Sequence, residues 1–325
     1  MLSIYLVVYI RTFQKRFLLM PLDPCFAELL ADPRNGVRPP PAHVALEKVR
    51  RVADGAMDQG DSPDLPEVRD AMVSLDGRDI PIRHYRPIVA ETLPVILFCH
   101  GGGFVWGSID THDGLCRRLA VATGAAVISI GYRLSPETRF PGPVEDAFGV
   151  LRDVVTRAQG YGIDTAKVAL CGDSAGGAIC VSVVALAALE RLAIHHLCLF
   201  YPALDPSCGS DSQQAFADGY MLTRDAMKWF WSCYLGSDTP AEAGFLPLNA
   251  DLSGFPPTTI ATAEFDPLRD EAEDFHARLV AAGGDAKLTC FEGLIHGFLS
   301  LPALPIKGQE AFDFVTKRLC QRDLA

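Results

Sequence analysis

The chain has 325 residues, of which 29 are Lys or Arg and 40 are Asp or Glu, giving a formal net charge of −11. Hydrophobic residues make up 49% and charged residues 21%, which excludes a disordered, collagen-like or low-complexity protein. A negative chain without a stripe of clustered Lys and Arg is also not a general nucleic-acid binder.

The length is compatible with about two domains, or with one large α/β domain carrying an insertion. The ten cysteines, at 25, 99, 116, 171, 180, 198, 208, 233, 290 and 320, form no C-x-x-C pair and no zinc-like spacing. Cys99, Cys171 and Cys198 fall inside apolar strand-like runs. They read as small buried hydrophobes in a reducing, cytoplasmic setting, and no metal is expected.

Residues 1–19 read as an extension. MLSIYLVVYI is apolar, but Arg11, Lys15 and Arg16 follow the apolar run and no small-residue cleavage site appears. The run is too short to span a bilayer, so no stable membrane insertion is expected, at most a weak surface contact. The recognisable sequence starts at Met20, which suggests that translation begins there.

From Pro21 to about Asp61 the chain is helical in parts (CFAELLA, HVALEKVRRVADGAM), broken by the prolines at 39 to 41. EVRDAMVSL and RDIPIRHYRP then alternate as antiparallel strands do, joined by Asp76-Gly77. Short continuous apolar runs follow: LPVILFCH, AAVISIGY, KVALCGD, HLCLFYPAL, TTIATAEF and AKLTCFEG, separated by helix-length segments. Runs buried on both faces and alternating with helices predict a doubly wound α/β fold, with a mostly parallel eight-stranded sheet. From about Asp205 to Asp251 there is no strand-like run, only an aromatic helix (RDAMKWFWSCYLG). This excursion is placed to cover a site.

Function in open α/β sheets collects at the carboxyl ends of the strands. After KVALC comes GDSAGG, Gly172 to Gly177, leading straight into AICVSVVALAALERL. A strand, a tight turn bearing a serine and then a helix is the context of a nucleophile elbow, with Ser174 exposed at its tip. The plain alternative is an ordinary glycine-rich βα turn. After LPVILFC comes HGGGF, His100 to Phe104. Three successive glycines cost backbone entropy, which an oxyanion hole explains, because its N–H donors must approach an oxygen unobstructed. The donors expected are Gly102 and Gly103, with Ala175 after the serine. A flexible loop or phosphate cradle is the alternative, but no Gly-Lys-Ser or Gly-Lys-Thr follows. His100 itself is assigned a structural hydrogen-bonding role.

A serine nucleophile needs a base and the base needs an orienter, in the chain order Ser, acid, His. That order excludes His43, His84, His100 and His112. His195 and His196 read as a strand start and His276 as a solvated helix residue. His296, in GLIHGF after the last strand-like run, is the expected base. Asp266 directly follows TTIATAEF and is the preferred acid, with Glu264 in reserve. Asp270 and Asp274 read as first-turn and surface charges of the next helix. Phe104, Trp106 and Trp229 are assigned to a substrate pocket narrowed by bulky aromatics, which favours acyl chains of roughly two to eight carbons. The same aromatics equally serve to pack the excursion on the body.

HGGGFVWGSIDTHD, GYRLSPETRFPGPVEDA, GDSAGG, AEFDPLRDE and HGF occur here in the order and spacing of a known family. The chain resembles the hormone-sensitive-lipase-like esterases of the α/β-hydrolase fold, from Met20 to about Leu319. The resemblance implies a Ser174, Asp266, His296 triad and oxyanion donors from Gly102, Gly103 and Ala175. It also implies one hydrolase domain over 20–325, with a helical cap from about 20–60 and 205–250, a small-molecule ester substrate and no cofactor. Tyr132, Arg133 and Glu137 look like the family's structural network. Some relatives dimerise through the strand nearest the last helix, so a homodimer is a further expectation. Amidase, lactonase, deacetylase or peptidase chemistry on the same triad stays open, as does, more remotely, a ligand receptor that has lost catalysis.

Overall fold

The computed structural model describes residues 22–32, 35–57, 62–89, 91–236, 246–300 and 304–321. The extension at 1–19 and positions 237–245 of the excursion lie outside the described residues. Two helices, α1 (Cys25–Ala31) and α2 (Leu46–Ala56), precede the strands β1 (Glu67–Leu75) and β2 (Arg78–Arg86). These strands pair antiparallel from Glu67 opposite Arg86 to Leu75 opposite Arg78, so Asp76 and Gly77 form a two-residue turn. Gly77 sits at φ 72°, where a Cβ is costly.

The alternation then follows the predicted runs: β3 (Leu93–Cys99), α3 (Asp113–Thr123), β4 (Ala126–Ile130), α4 (Gly142–Thr156), the short α5 (Ala158–Tyr161), β5 (Ile163–Asp173) and α6 (Ala175–Leu189). Next come β6 (His196–Phe200), α7 (Asp211–Ala215), α8 (Arg224–Leu235), β7 (Thr258–Phe265), α9 (Arg269–Ala281), β8 (Ala286–Ile295) and α10 (Ile306–Gln321). β5 begins earlier than the run KVALCGD, with Ile163 paired beside Leu93.

All eight strands form one sheet in the order β1-β2-β4-β3-β5-β6-β7-β8. Pairing is antiparallel for β1–β2 and β2–β4 and parallel from β4 to β8. Every residue of β4, β6 and β7 is buried, as strands covered on both faces must be. Helix α6 is apolar nearly all round and buried over its first ten residues, so it packs in the centre of the molecule.

This topology fixes the place of the site. β4 lies on one side of β3 and β5 on the other, so the chain crosses over β3 and its direction of winding reverses there. A crevice forms at such a switch point, outside the carboxyl ends of the strands. The loops after β3, β5, β7 and β8 share that edge because those strands are parallel.

The N-terminal segment and the excursion meet above this edge. Val37 N–H donates to Met221 O at 2.7 Å, and Val37 and Leu222 form an isolated parallel bridge. The Thr223 hydroxyl donates to Val37 O at 2.7 Å while its oxygen accepts Ala226 N–H, so one side chain caps α8 and ties down the N-terminal segment. Arg38 adds an ion pair to Asp218 at 2.5 Å.

Candidate active site

Ser174 follows β5 and precedes α6 with φ 51° and ψ −121°, a backbone region that costs a non-glycine residue about 1–3 kcal/mol. Three hydrogen bonds hold it there: Ser174 N–H to Phe200 O at 2.9 Å, and Gly177 N–H and Ala203 N–H to Ser174 O at 3.0 Å each. Gly176 explains the glycines of the motif. A Cβ on it would collide with the backbone carbonyls of Cys99 and His100, so only glycine lets α6 start against the end of β3.

The Ser174 hydroxyl lies 3.0 Å from His296 Nε2, and His296 Nδ1 lies 2.8 Å from Asp266 Oδ2. Asp266 is fully buried, and its Oδ1 accepts Leu268 N–H at 2.8 Å, so the carboxylate is held from both sides. The Tyr201 ring stands edge-on to the imidazole at 4.9 Å between centroids and limits its rotation. These three side chains come from loops after three different strands. Glu264 does not join them, because its Oε2 accepts Gly293 N–H at 2.8 Å.

The HGGGF turn arches beside this line. Val105 N–H and Trp106 N–H both donate to Gly102 O, at 3.1 and 3.0 Å, closing the turn. Gly102 and Gly103 have φ of 113° and 60°, and a Cβ on Gly103 would enter the Phe230 ring. The N–H groups of Gly102, Gly103 and Ala175 meet no acceptor among the described residues. Gly101 N–H donates to Asp173 Oδ1 at 2.7 Å, which binds the turn to the elbow.

Asp173, which the GDSAGG pattern did not single out, is buried beside the elbow. Burial pushes its carboxyl up, but His112, 3.4 Å away through Nε2, and the Gly101 N–H outweigh burial and hold it below the ordinary carboxylate range. His100 faces its own turn, with Nδ1 2.8 Å from Gly101 O and the ring stacked on Tyr132 at 4.3 Å. Burial pushes its pKa down to about 3, so it is a neutral structural group. Tyr132 OH donates to His100 O at 2.7 Å, and Arg133 grips Asp146 through two nitrogens at 2.8 Å each. Among the described residues no cluster of three or more His, Cys, Asp or Glu could hold a metal ion, and no helix is long and apolar enough to cross a membrane.

A family model described as the alpha/beta hydrolase fold matches residues 96–300. An ethyl acetate hydrolase of Pseudomonas putida is 35% identical over 260 residues, spanning 77% of this chain and 81% of that protein. A carboxylesterase of Mycobacterium tuberculosis is 37% identical over 257 residues, spanning 76% and 81%. The chain belongs to the α/β-hydrolase family of esterases. Among solved structures, a hyperthermophilic esterase from the archaeon Pyrobaculum calidifontis superposes with a TM-score of 0.87 at 34% identity, covering 94% of this chain and 100% of that one.

In this hydrolase a cavity of about 640 Å³ opens above Ser174 and His296. Its walls come from both outlying segments: Val49, Val52 and Met57 on one side, Met221, Leu222 and Phe230 on the other. Of the three pocket residues expected from sequence, Trp106 lines it. Phe104 does not. At φ 66° its side chain turns inward and stacks on Tyr234 at 3.8 Å, fully buried. Trp229 is also outside the lining and packs behind Trp106 at 6.0 Å. Helical period is the reason, since Met227, Phe230 and Tyr234 share the buried face of α8 and position 229 is turned away from it. That spacing was available in the sequence and points to Phe230.

Helix α9 carries one acidic side chain inward. Glu271 is buried, and its Oε2 accepts Leu204 N–H at 3.1 Å and Asp205 N–H at 2.5 Å.

Proposed function

We propose that this hydrolase is a serine carboxylesterase acting on small esters with short to medium acyl chains. The observation that carries the reading is the line from Ser174 Oγ through His296 to Asp266, at 3.0 and 2.8 Å, on the floor of an apolar cavity. His296 Nε2 takes the Ser174 proton as the oxygen attacks the ester carbonyl, and the carbonyl electron pair becomes an oxyanion. Asp266 holds the imidazole with its proton on Nδ1 and stabilises the imidazolium.

Amides of Gly102, Gly103 and Ala175 receive the oxyanion, and losing one such donor costs about 10² to 10³ in rate. Collapse expels the alcohol, which takes the proton from His296. Water, deprotonated by His296, then attacks the acyl-enzyme and releases the acid and Ser174. The sequence as written uses no metal or organic cofactor.

The N-terminal segment and the excursion act as the cap. A cavity of about 640 Å³ with mostly aliphatic walls suits an acyl chain of roughly two to eight carbons. All ten cysteines are free thiols, which supports work in a reducing cytoplasm. Hydrolysis of p-nitrophenyl esters from acetate to palmitate, by the wild type and Ser174→Ala, tests the reading. Turnover should peak at short to medium chains and vanish in the variant. Absence of turnover on every ester, with turnover of an aryl amide or a lactone instead, would overturn the ester assignment.

A further inference from the structure

Helix α2 touches the oxyanion turn through two polar side chains one turn apart, Arg50 and Asp54, which therefore share a face. Arg50 Nε–H donates to Val105 O at 2.6 Å, and its Nη2 donates to Ser135 O at 2.8 Å. Both Nη atoms also reach Glu137, at 2.9 and 2.7 Å. Asp54 Oδ1 accepts Gly107 N–H at 2.9 Å. Val105 and Gly107 flank Trp106, and the Val105 and Trp106 amides close the turn on Gly102 O. The two side chains thus grip the turn on both sides of Trp106, three residues past Gly103.

The neighbouring face of the same helix, through Val49, Val52 and Ala53, is a wall of the substrate cavity. No residue of α2 is fully buried, so apolar contact alone holds it loosely and its polar contacts matter for where it sits. Arg50, by its hydrogen bond to Glu137, holds that carboxyl below its ordinary range.

We propose that Arg50 and Asp54 are positioning residues for the oxyanion hole, so that seating of α2 against substrate sets the aim of the Gly102 and Gly103 amides. The proposal rests on the esterase reading. A wall that also holds the turn couples filling of the cavity to transition-state stabilisation, because a small misplacement of a donor lowers rate without lowering ground-state affinity.

The test compares wild type, Asp54→Ala, Asp54→Asn and Arg50→Ala on p-nitrophenyl butyrate. Binding is measured in parallel for an alkyl trifluoromethyl ketone and the matching methyl ketone. The fluorinated ketone adds the Ser174 oxygen to its carbonyl carbon and passes the hydroxyl proton to His296, so its oxygen becomes the oxyanion. The methyl ketone occupies the cavity without that step. In Asp54→Ala and Arg50→Ala, kcat should fall by about ten- to a hundredfold, less than removal of a donor. Affinity for the fluorinated ketone should weaken in step, while KM and methyl ketone affinity move by no more than about threefold.

Asp54→Asn keeps an acceptor oxygen for Gly107 and should stay near the wild type. Equal loss of both ketones, or unchanged kcat in folded variants, would overturn the proposal. If Arg50→Ala does not fold, the pair of Asp54 variants decides alone. A wild type that turns over no ester and binds neither ketone would refute the esterase reading and take the proposal with it. Wild-type turnover with an unaffected Asp54→Ala would refute the clamp only.

Discussion

Glu264 and Asp266 stand two residues apart at the end of β7, yet their carboxylates hold different partners. Asp266 Oδ2 meets His296 Nδ1 at 2.8 Å, while Glu264 Oε2 accepts the Gly293 N–H of β8 at 2.8 Å. The register between β7 and β8 slips between Ala263 and Phe265, and this irregularity separates the two side chains. One carboxylate holds the His296 imidazole and the other fixes the strand that leads to it.

Exchange at these two positions should therefore separate catalysis from support. Asp266→Asn should lower kcat by about 10³ to 10⁴, since the imidazole is left without its anion and in the wrong tautomer. Glu264→Gln keeps an oxygen for Gly293 and should stay within about tenfold of wild type. Steady-state kinetics on one ester checks both. The reverse order of effects would move the acid to Glu264.

The HGGGF turn has no room for a side chain at Gly103. Its φ of 60° disfavours other residues, and a Cβ would enter the Phe230 ring. Gly103→Ala should lower kcat by about 10² or more by displacing a donor. Combining it with Phe230→Ala should restore part of the loss on p-nitrophenyl acetate, because one of the two obstacles is gone. A single variant with normal kcat would show that this amide does not serve the reaction.

Acyl-length preference should follow Phe230 and not Trp229. Phe230 lines the cavity and is buried, whereas Trp229 lies behind it. Phe230→Leu should shift the best p-nitrophenyl ester to a chain longer by about two carbons, each methylene being worth about 0.8 kcal/mol once buried. Trp229→Leu should leave the optimum unmoved. A shift in the second variant alone would contradict the assigned lining.

Stability should fall as pH drops below the ordinary histidine range. Burial, with Arg86 and Arg69 adding to it, pushes His84 down to about 4, and burial pushes His100 down to about 3. Between about 6.5 and those values the unfolded chain binds protons that the folded chain refuses, so stability rises with pH there. The contribution is complete above about 6.5 and is lost on acidification, at up to about 1.4 kcal/mol per pH unit for each histidine. Urea unfolding at pH 7, 6 and 5 measures the slope. His84→Gln should reduce it, and an unchanged slope would contradict the burial argument.

Much of the fold was legible because strands covered on both faces leave continuous apolar runs. TTIATAEF coincides with β7 residue for residue, and the alternating run EVRDAMVSL does the same with the edge strand β1. That Ser174, Asp266 and His296 come together was legible for a related reason, since each follows such a run, chain order removes four of the other histidines, and the remaining three read as strand-start or solvated helix residues. The pocket was not legible, because it forms where two segments distant in sequence meet at Val37 and Leu222. Phe104 was misplaced because its direction depends on a positive φ that the sequence does not display. Nothing in the residues of α2 says that Arg50 finds Val105 O or that Asp54 finds Gly107.

A serine nucleophile at Ser174, activated by His296, should be open to covalent capture. Reaction with an alkyl p-nitrophenyl phosphonate tests it most directly, since attack forms the serine O–P bond and expels p-nitrophenolate. Intact-mass and peptide analysis of the wild type should find one adduct per chain, on Ser174, with one equivalent of p-nitrophenolate and complete loss of esterase activity. Ser174→Ala should stay unlabelled and His296→Ala should label far more slowly. Labelling at another residue, or ester turnover that persists once Ser174 is blocked, would rule out Ser174 as the nucleophile.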